Sequence, residues 1–153
     1  LARRERGSDS YVYVLMGDGE LNEGSIWEAF MSASQYRLDH LVVIIDRNHL
    51  SYDGDTEDIM GIENLEGKMQ NFGWNVFHCD GHDVSDLLHT FQDIQSSNKG
   101  SAISLEFCAG RPSIIIAETV KGKGVSFMEN KREWHHGRLT QAQYEQAKAE
   151  VEG

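Results

Sequence analysis

Proline occurs once in these 153 residues, cysteine twice, and no apolar run reaches the length of a membrane span. Each scarcity closes a class of protein. Cys79 and Cys108 are too few and too far apart for a disulfide framework or a zinc knuckle. No signal-peptide pattern is present, so a membrane partner is excluded and a reducing cytoplasm is the expected location. Basic residues are short as well: 14 Lys and Arg stand against 25 Asp and Glu, a net charge of −11, which argues against a nucleic-acid face. An anionic ligand must therefore be met by a metal, a helix end or a few placed lysines. The lone Pro112 precedes an apolar run, where a missing N–H is tolerated.

What the chain does have is an alternation of two patterns. Tyr11–Met16, Leu41–Asp46, Trp74–Cys79 and Ser113–Thr119 are short apolar runs rich in β-branched and aromatic residues. Continuous apolarity predicts strands buried on both faces of a parallel sheet. Between them lie helical stretches. Ser25 with Glu28 reads as a capping box ahead of Ile26, Phe30 and Ala33; Asp83 caps a stripe of Val84, Leu87, Leu88, Phe91 and Ile94; Thr140 with Gln143 opens a last helix. Gln95–Gly100 reads as an exposed polar turn. The order predicts one α/β domain over residues 1–153, an open, mostly parallel sheet with helices on both faces. The chain opens at Leu1 in what reads as a basic helix end, Leu1–Arg6 closed by Gly7, so an upstream part of the domain is expected to be missing.

In such a sheet, ligands bind beyond the carboxyl ends of the strands. Gly17-Asp18-Gly19 stands at one such end, and Asp46-Arg47-Asn48 at another. A loop that only turns needs one glycine. Two glycines flanking a carboxylate allow close approach of the backbone to a ligand, and the helix that follows points free N–H groups at the rim. If the two strands are neighbours, Asp18 and Asn48 offer oxygens to one volume. Hard oxygen donors in small number are what Mg²⁺ takes when a diphosphate completes its octahedron.

The blocks "GDGELNEGSIWEA", "IIDRN", "FGWNVFHCDGHD", "ETVKGKGVSFME" and "WHHG", in this order, make nearly the whole chain resemble the thiamine-diphosphate-binding domain of the transketolase family, and most of all the N-terminal subunits of bacterial split transketolases. The resemblance implies thiamine diphosphate and Mg²⁺ as cofactors and two-carbon ketol transfer from a ketose phosphate to an aldose. It implies Asp18, the Asn48 side chain and the Leu50 carbonyl as metal ligands, and Gly17 and Gly19 along the diphosphate. Glu23 falls near the family's dimer interface, where an acid at the Asp46 position connects two cofactor sites. Lys121 falls against the thiazolium side of the cofactor. Either His135 or His136 faces substrate, with alignment on the glycine favouring His136. Arg47-Asn48 stands where the family often has two asparagines, a change transketolases tolerate.

The aminopyrimidine end of the cofactor finds no residue here. The resemblance assigns that end to a pyrimidine-domain partner subunit, in a homodimer or heterotetramer, with sugar phosphates as substrates. Arg138 is the cation nearest the histidines in sequence. 1-Deoxyxylulose-5-phosphate synthase and the α subunit of a 2-oxo acid dehydrogenase are built on the same domain, though "GELNEG" with "WHHG" favours transketolase. A non-catalytic module that binds a diphosphate or a partner chain is the reading from another class. Several residues have plainer roles open to them. Asp46 reads equally as capping a strand end, Lys121 and Lys123 as a solvated pair, His82 as a loop histidine bonded to Asp80 or Asp83, and Trp27, Trp74, Phe91 and Cys108 as core.

Overall fold

The structure, a computed structural model, describes residues 7, 9–98 and 110–153; Leu1–Arg6 and Cys108 fall outside them. Four strands form one sheet: β1 (Val12–Gly17), β2 (Leu41–Arg47), β3 (Asn75–Asp80) and β4 (Ser113–Glu118). All pairings are parallel, in the order β1-β2-β4-β3. Five α-helices accompany them: α1 (Gly24–Gln35), α2 (Thr56–Met60), α3 (Leu65–Asn71), α4 (Val84–Asn98) and α5 (Gln141–Glu152).

Strand alternation sends successive side chains to opposite faces, and each face has its own core. Val43, Ile45, Ile114 and Ile116 pack with Phe30 and Ala33 of α1 and Leu65 and Met69 of α3. Val42, Ile115 and Ala117 pack on the other face with Ile94 of α4, flanked by Leu87 and Phe91. Helices therefore cover both faces, as the sequence predicts. Trp74 is almost fully buried; its indole N–H donates to the Phe30 carbonyl at 3.0 Å, and the two rings meet edge to face at 5.1 Å. Trp27 donates to the Leu21 carbonyl at 2.6 Å and so ties α1 to the turn before it.

Four expectations are corrected. β1 is not buried on both faces: Val12, Tyr13, Val14 and Leu15 are 41–72% exposed. It is the edge of the sheet, pairing only with β2, and apolarity in a sequence does not encode strand order. The helix start expected at Ser25 lies one position earlier, with Gly24 already helical and Glu23 at the cap, so Ser25 is not the capping residue. Gln95–Asn98 continues α4 rather than turning. On α4, Val84 and Leu88 face solvent while Leu87, Phe91 and Ile94 pack, so the apolar stripe is narrower than its spacing suggests. The caps at Asp83 and Thr140 form: Asp83 Oδ1 accepts from the Ser85 N–H at 2.8 Å, and Thr140 and Gln143 make their reciprocal box. Among the described residues no helix is long and apolar enough to cross a membrane.

Candidate active site

Parallel register brings the carboxyl ends of β1, β2 and β4 to one rim, with Gly17 opposite Asp46 and Asp46 opposite Ala117. After β1 the chain makes a short 3₁₀ turn, Asp18–Asn22, closed by the Glu20 carboxylate, which accepts from the Gly17 N–H at 2.9 Å. Gly19 lies flat against the next loop: a Cβ there would stand 3.3 Å from Ser51 Cβ.

Asp18 is 1% exposed. Its Oδ2 accepts two bonds, from Arg47 Nη1 at 3.0 Å and from the His49 N–H at 2.7 Å. His49 takes a left-handed φ of 61°, and this kink aims its N–H back at Asp18. Asn48, 8% exposed, folds its Oδ1 onto the Leu50 N–H at 3.1 Å. The segment then returns on itself through Ser51 N–H to Gly54 O and Thr56 N–H to His49 O, so the Leu50 carbonyl accepts no backbone bond among the described residues.

These groups line one open cavity of about 550 Å³, with Gly17, Asp18, Gly19, Asn48, Leu50, Lys121 and His135 on its walls and Glu20, Glu23, Asp46 and Asp53 at its margin. The sign of the charge decides what it can hold. Five carboxylates face one lysine, so a bare polyanion is repelled, whereas a divalent cation is attracted and can bridge an anion to the wall. Among the described residues no three His, Cys, Asp or Glu side chains form a closed metal cage. The oxygens of Asp18, Asn48 and Leu50 instead make a partial set, which fits a Mg²⁺ that keeps most of its ligands from a diphosphate and water.

Lys121 reaches this cavity from a loop whose glycines are structural. Gly122 has φ +74°, and a Cβ there would sit 2.7 Å from Met128. Lys123 turns instead to a shallower neighbouring cavity beside His82 and Asp86. The "WHHG" segment is held from below. Trp134 donates to the Phe127 carbonyl at 3.0 Å, stacks edgewise on Phe127, and leaves no room for a side chain at Gly137, whose Cβ would meet the indole at 2.5 Å. Both histidines are thereby turned outward, and the structure divides them. His135 lines the Asp18 cavity, while His136 lines an adjoining hollow of about 440 Å³ with Tyr52, Asp53, Arg132 and Glu133. The Tyr52 ring stands between, 6.0 Å from His135 and 5.3 Å from His136.

Three residues behave otherwise than the sequence suggests. Asp46 turns to β4 and takes the Thr119 hydroxyl, the strand-end role rather than a link toward Glu23. The His82 ring accepts from the Val120 N–H at 2.7 Å, so its partner is backbone and neither Asp80 nor Asp83. Arg132, not Arg138, is the cation in the histidine hollow, with its guanidinium on the Asp53 carbonyl at 3.0 Å.

Arg47 is the residue sequence reasoning passed over. Only 1% exposed, it donates to Asp18, to Thr56 at 2.8 Å, to Glu57 at 2.8 Å and to Glu63 at 2.9 Å. Burial works against its charge, but the hydrogen bonds to Glu63, Asp18 and Glu57 outweigh that and raise its pKa further. For Glu57, partial desolvation opposes ionisation, yet the Ile62 N–H and the Arg47 guanidinium hold its carboxyl below the ordinary range. The available signal was parity: Arg47 follows Val43 and Ile45 on the buried side of β2, where an arginine needs carboxylates.

Comparison with known proteins gives one consistent answer. The family described as "Transketolase, thiamine diphosphate binding domain" matches residues 3–152. The chain is 44% identical over 151 residues to one of the two subunits of the apulose-4-phosphate transketolase of Phocaeicola vulgatus, covering 99% of this chain and 50% of that protein. It is 39% identical over 141 residues to the 6-deoxy-6-sulfo-D-fructose transketolase subunit SqwG of a Clostridium species, covering 92% and 47%. The chain thus spans about half the length of these relatives. A solved transketolase from Pichia stipitis superposes with a TM-score of 0.79 at 25% identity, over 94% of this chain and 20% of that one. One from Campylobacter jejuni gives 0.70 at 24%, over 95% and 24%.

Proposed function

This chain belongs to the transketolase family as its thiamine-diphosphate-binding domain, and from that premise we propose that it holds the Mg²⁺–diphosphate end of the cofactor in a split transketolase. The observation that carries this is the convergence of Asp18, Asn48 and the Leu50 carbonyl on one acidic cavity that a polyanion enters only with a divalent cation. The reaction is transfer of a two-carbon ketol unit between sugar phosphates; the relatives' names point to a phosphorylated or sulfonated ketose as donor.

When bound, thiamine diphosphate supplies the electron sink for carbon–carbon cleavage. The chain's own residues do the rest. Asp18, Asn48 and Leu50 fix the metal, Gly17 and Gly19 let the backbone close on the diphosphate, and Lys121 adds one positive charge. His135, on the cofactor side of Tyr52, and His136, on the far side, hydrogen-bond substrate hydroxyls and move their protons, a task suited to imidazole. Nothing among the described residues encloses the other end of the cofactor, so a partner subunit supplies that wall, and Glu23 lies toward it.

Titration of the purified chain with thiamine diphosphate, with and without Mg²⁺, tests the reading, followed by a ketol-transfer assay once the partner subunit is mixed in. We expect Mg²⁺-dependent binding, with turnover only in the mixture, saturating at one to one. Turnover by the chain alone, or no binding even in the mixture, overturns it.

A further inference from the structure

We propose that Arg47 is a positioning residue: it fixes the Asp18 carboxylate with Oδ1 turned to the cavity and couples it to the segment 49–63. The second half of the proposal holds independently of any ligand, while the first rests on the functional reading above.

A buried carboxylate can rotate about its Cβ–Cγ bond unless both oxygens are constrained. Here one oxygen takes all the protein's donors, since Arg47 Nη1 and the His49 N–H both end on Oδ2. Oδ1 accepts from no described residue and is the atom left for a ligand in the cavity. An isolated guanidinium beside it would oppose a divalent cation. Glu57 and Glu63 share the other nitrogen, Nη2, and outnumber it, so the group of three carboxylates and one guanidinium stays net negative. The guanidinium orients the ligand, and the glutamates restore the field.

The same two glutamates give Arg47 its reach. Glu57 sits in the first turn of α2 and also accepts from the Ile62 and Glu63 N–H groups at 3.3 and 3.4 Å, while Thr56 Oγ1 takes Nη1. One side chain at the end of β2 thereby holds both margins of the excursion that carries Leu50 and Tyr52. A lysine cannot do this. Its compact ammonium lacks the fork that serves four acceptors at once.

The test uses the full chain together with its partner subunit, as wild type, Arg47→Met, Arg47→Lys and Ile94→Val. Ile94 lies in the core on the opposite face of the sheet and controls for lost stability. Apparent Mg²⁺ affinity is read by calorimetry in the presence of thiamine diphosphate, and amide hydrogen exchange at 49–63 is read without ligand. Groups that orient metal ligands typically carry about 10–100-fold in affinity. We expect Arg47→Met to lose that much, Arg47→Lys to recover part of it, and Ile94→Val to lose none at equal thermal destabilisation. Exchange at His49, Ile62 and Glu63 should accelerate in Arg47→Met, with the β-sheet amides unchanged. Equal losses in Arg47→Met and Ile94→Val reduce Arg47 to general stability and overturn the proposal. If Arg47→Met does not fold, Arg47→Lys decides: wild-type Mg²⁺ affinity and exchange would overturn it. If wild type itself shows no Mg²⁺-dependent binding, the functional reading falls, and exchange alone then judges the coupling, unchanged rates refuting it.

Discussion

The two ends of the candidate site are built differently. At one end Asp18, Arg47 and Asn48 are all but sealed, each bonded to backbone or to an oppositely charged group. At the other, Tyr52, His135 and His136 are exposed and meet only as ring contacts around a hollow. A sealed, fully bonded corner is preorganised: its groups are in place before a ligand arrives, and little ordering remains to be done. The open corner has its chemistry but not its walls. The chain therefore carries a finished grip on the metal and diphosphate and an unfinished reaction chamber, which is the division of labour expected of one half of a split enzyme.

Alanine at His136 should break the comparison most visibly. In the complete assembly turnover should fall by about 10²–10⁴, the usual worth of a positioned proton donor or acceptor, with thiamine diphosphate affinity unchanged. The same change at His135, which shares the Asp18 cavity, should alter affinity as well as rate. Steady-state kinetics beside direct binding separates the two, and identical profiles would mean that Tyr52 is no partition.

Asp18→Asn comes next. It removes the one anionic metal ligand proposed and should weaken Mg²⁺-dependent cofactor binding by about 10–100-fold or more, while turnover at saturating Mg²⁺ and cofactor recovers in large part. It also leaves the Arg47 guanidinium with one charge partner fewer, so the melting temperature should fall. Unchanged affinity by calorimetry would remove Asp18 from the metal. Lys121→Ala is milder. An exposed charge on a loop is worth roughly 1 kcal/mol at most, near a fivefold change, and it should vanish at high salt because exposed charges are screened.

The sealed corner was the more legible from sequence, but only in its outline. Gly17-Asp18-Gly19 and Asp46-Arg47-Asn48 announce themselves because glycine and hard oxygen donors end apolar runs, and the parallel register of β1 and β2 does bring them together. Arg47 escaped because its acceptors lie on an excursion with weak local signals: α2 is a helix of five residues, and nothing in its spacing marks Glu57 or Glu63 as partners. The exposure of β1 escaped for a different reason. Its apolar run resembles that of β4, yet β4 is central and β1 an edge, and strand order is a property of the whole fold. At the open corner the "WHHG" motif was recognisable, but the sides of Tyr52 on which its histidines fall depend on Trp134 packing against Gly137.

The smallest effect expected concerns acidity, and it asks whether the sealed corner stays sealed. Glu57 has its carboxyl pKa lowered from an ordinary 4.5, the Ile62 N–H and Arg47 prevailing over desolvation. A carboxyl lowered on folding contributes stability above its unfolded pKa and loses it as pH falls through the folded value. Arg47 is shifted the other way, upward from 12.5, so its contribution is fully present below that value and is lost only at more alkaline pH still. Neither group therefore changes charge between about pH 5 and 9, and the clamp should be indifferent to pH across that window. Protection of the Ile62 and Glu63 amides against hydrogen exchange, corrected for intrinsic rates, should stay flat from pH 7 to 5 and decline only below 4.5. Glu57→Gln should lower protection at neutral pH and abolish most of the acid decline, because the titrating partner is gone while the shape remains. A wild-type decline centred between pH 6 and 7 would show that a histidine, not Glu57, closes this corner. His49, whose ring lies 3.1 Å from Glu118 and whose N–H bonds Asp18, would then be the group to remove next.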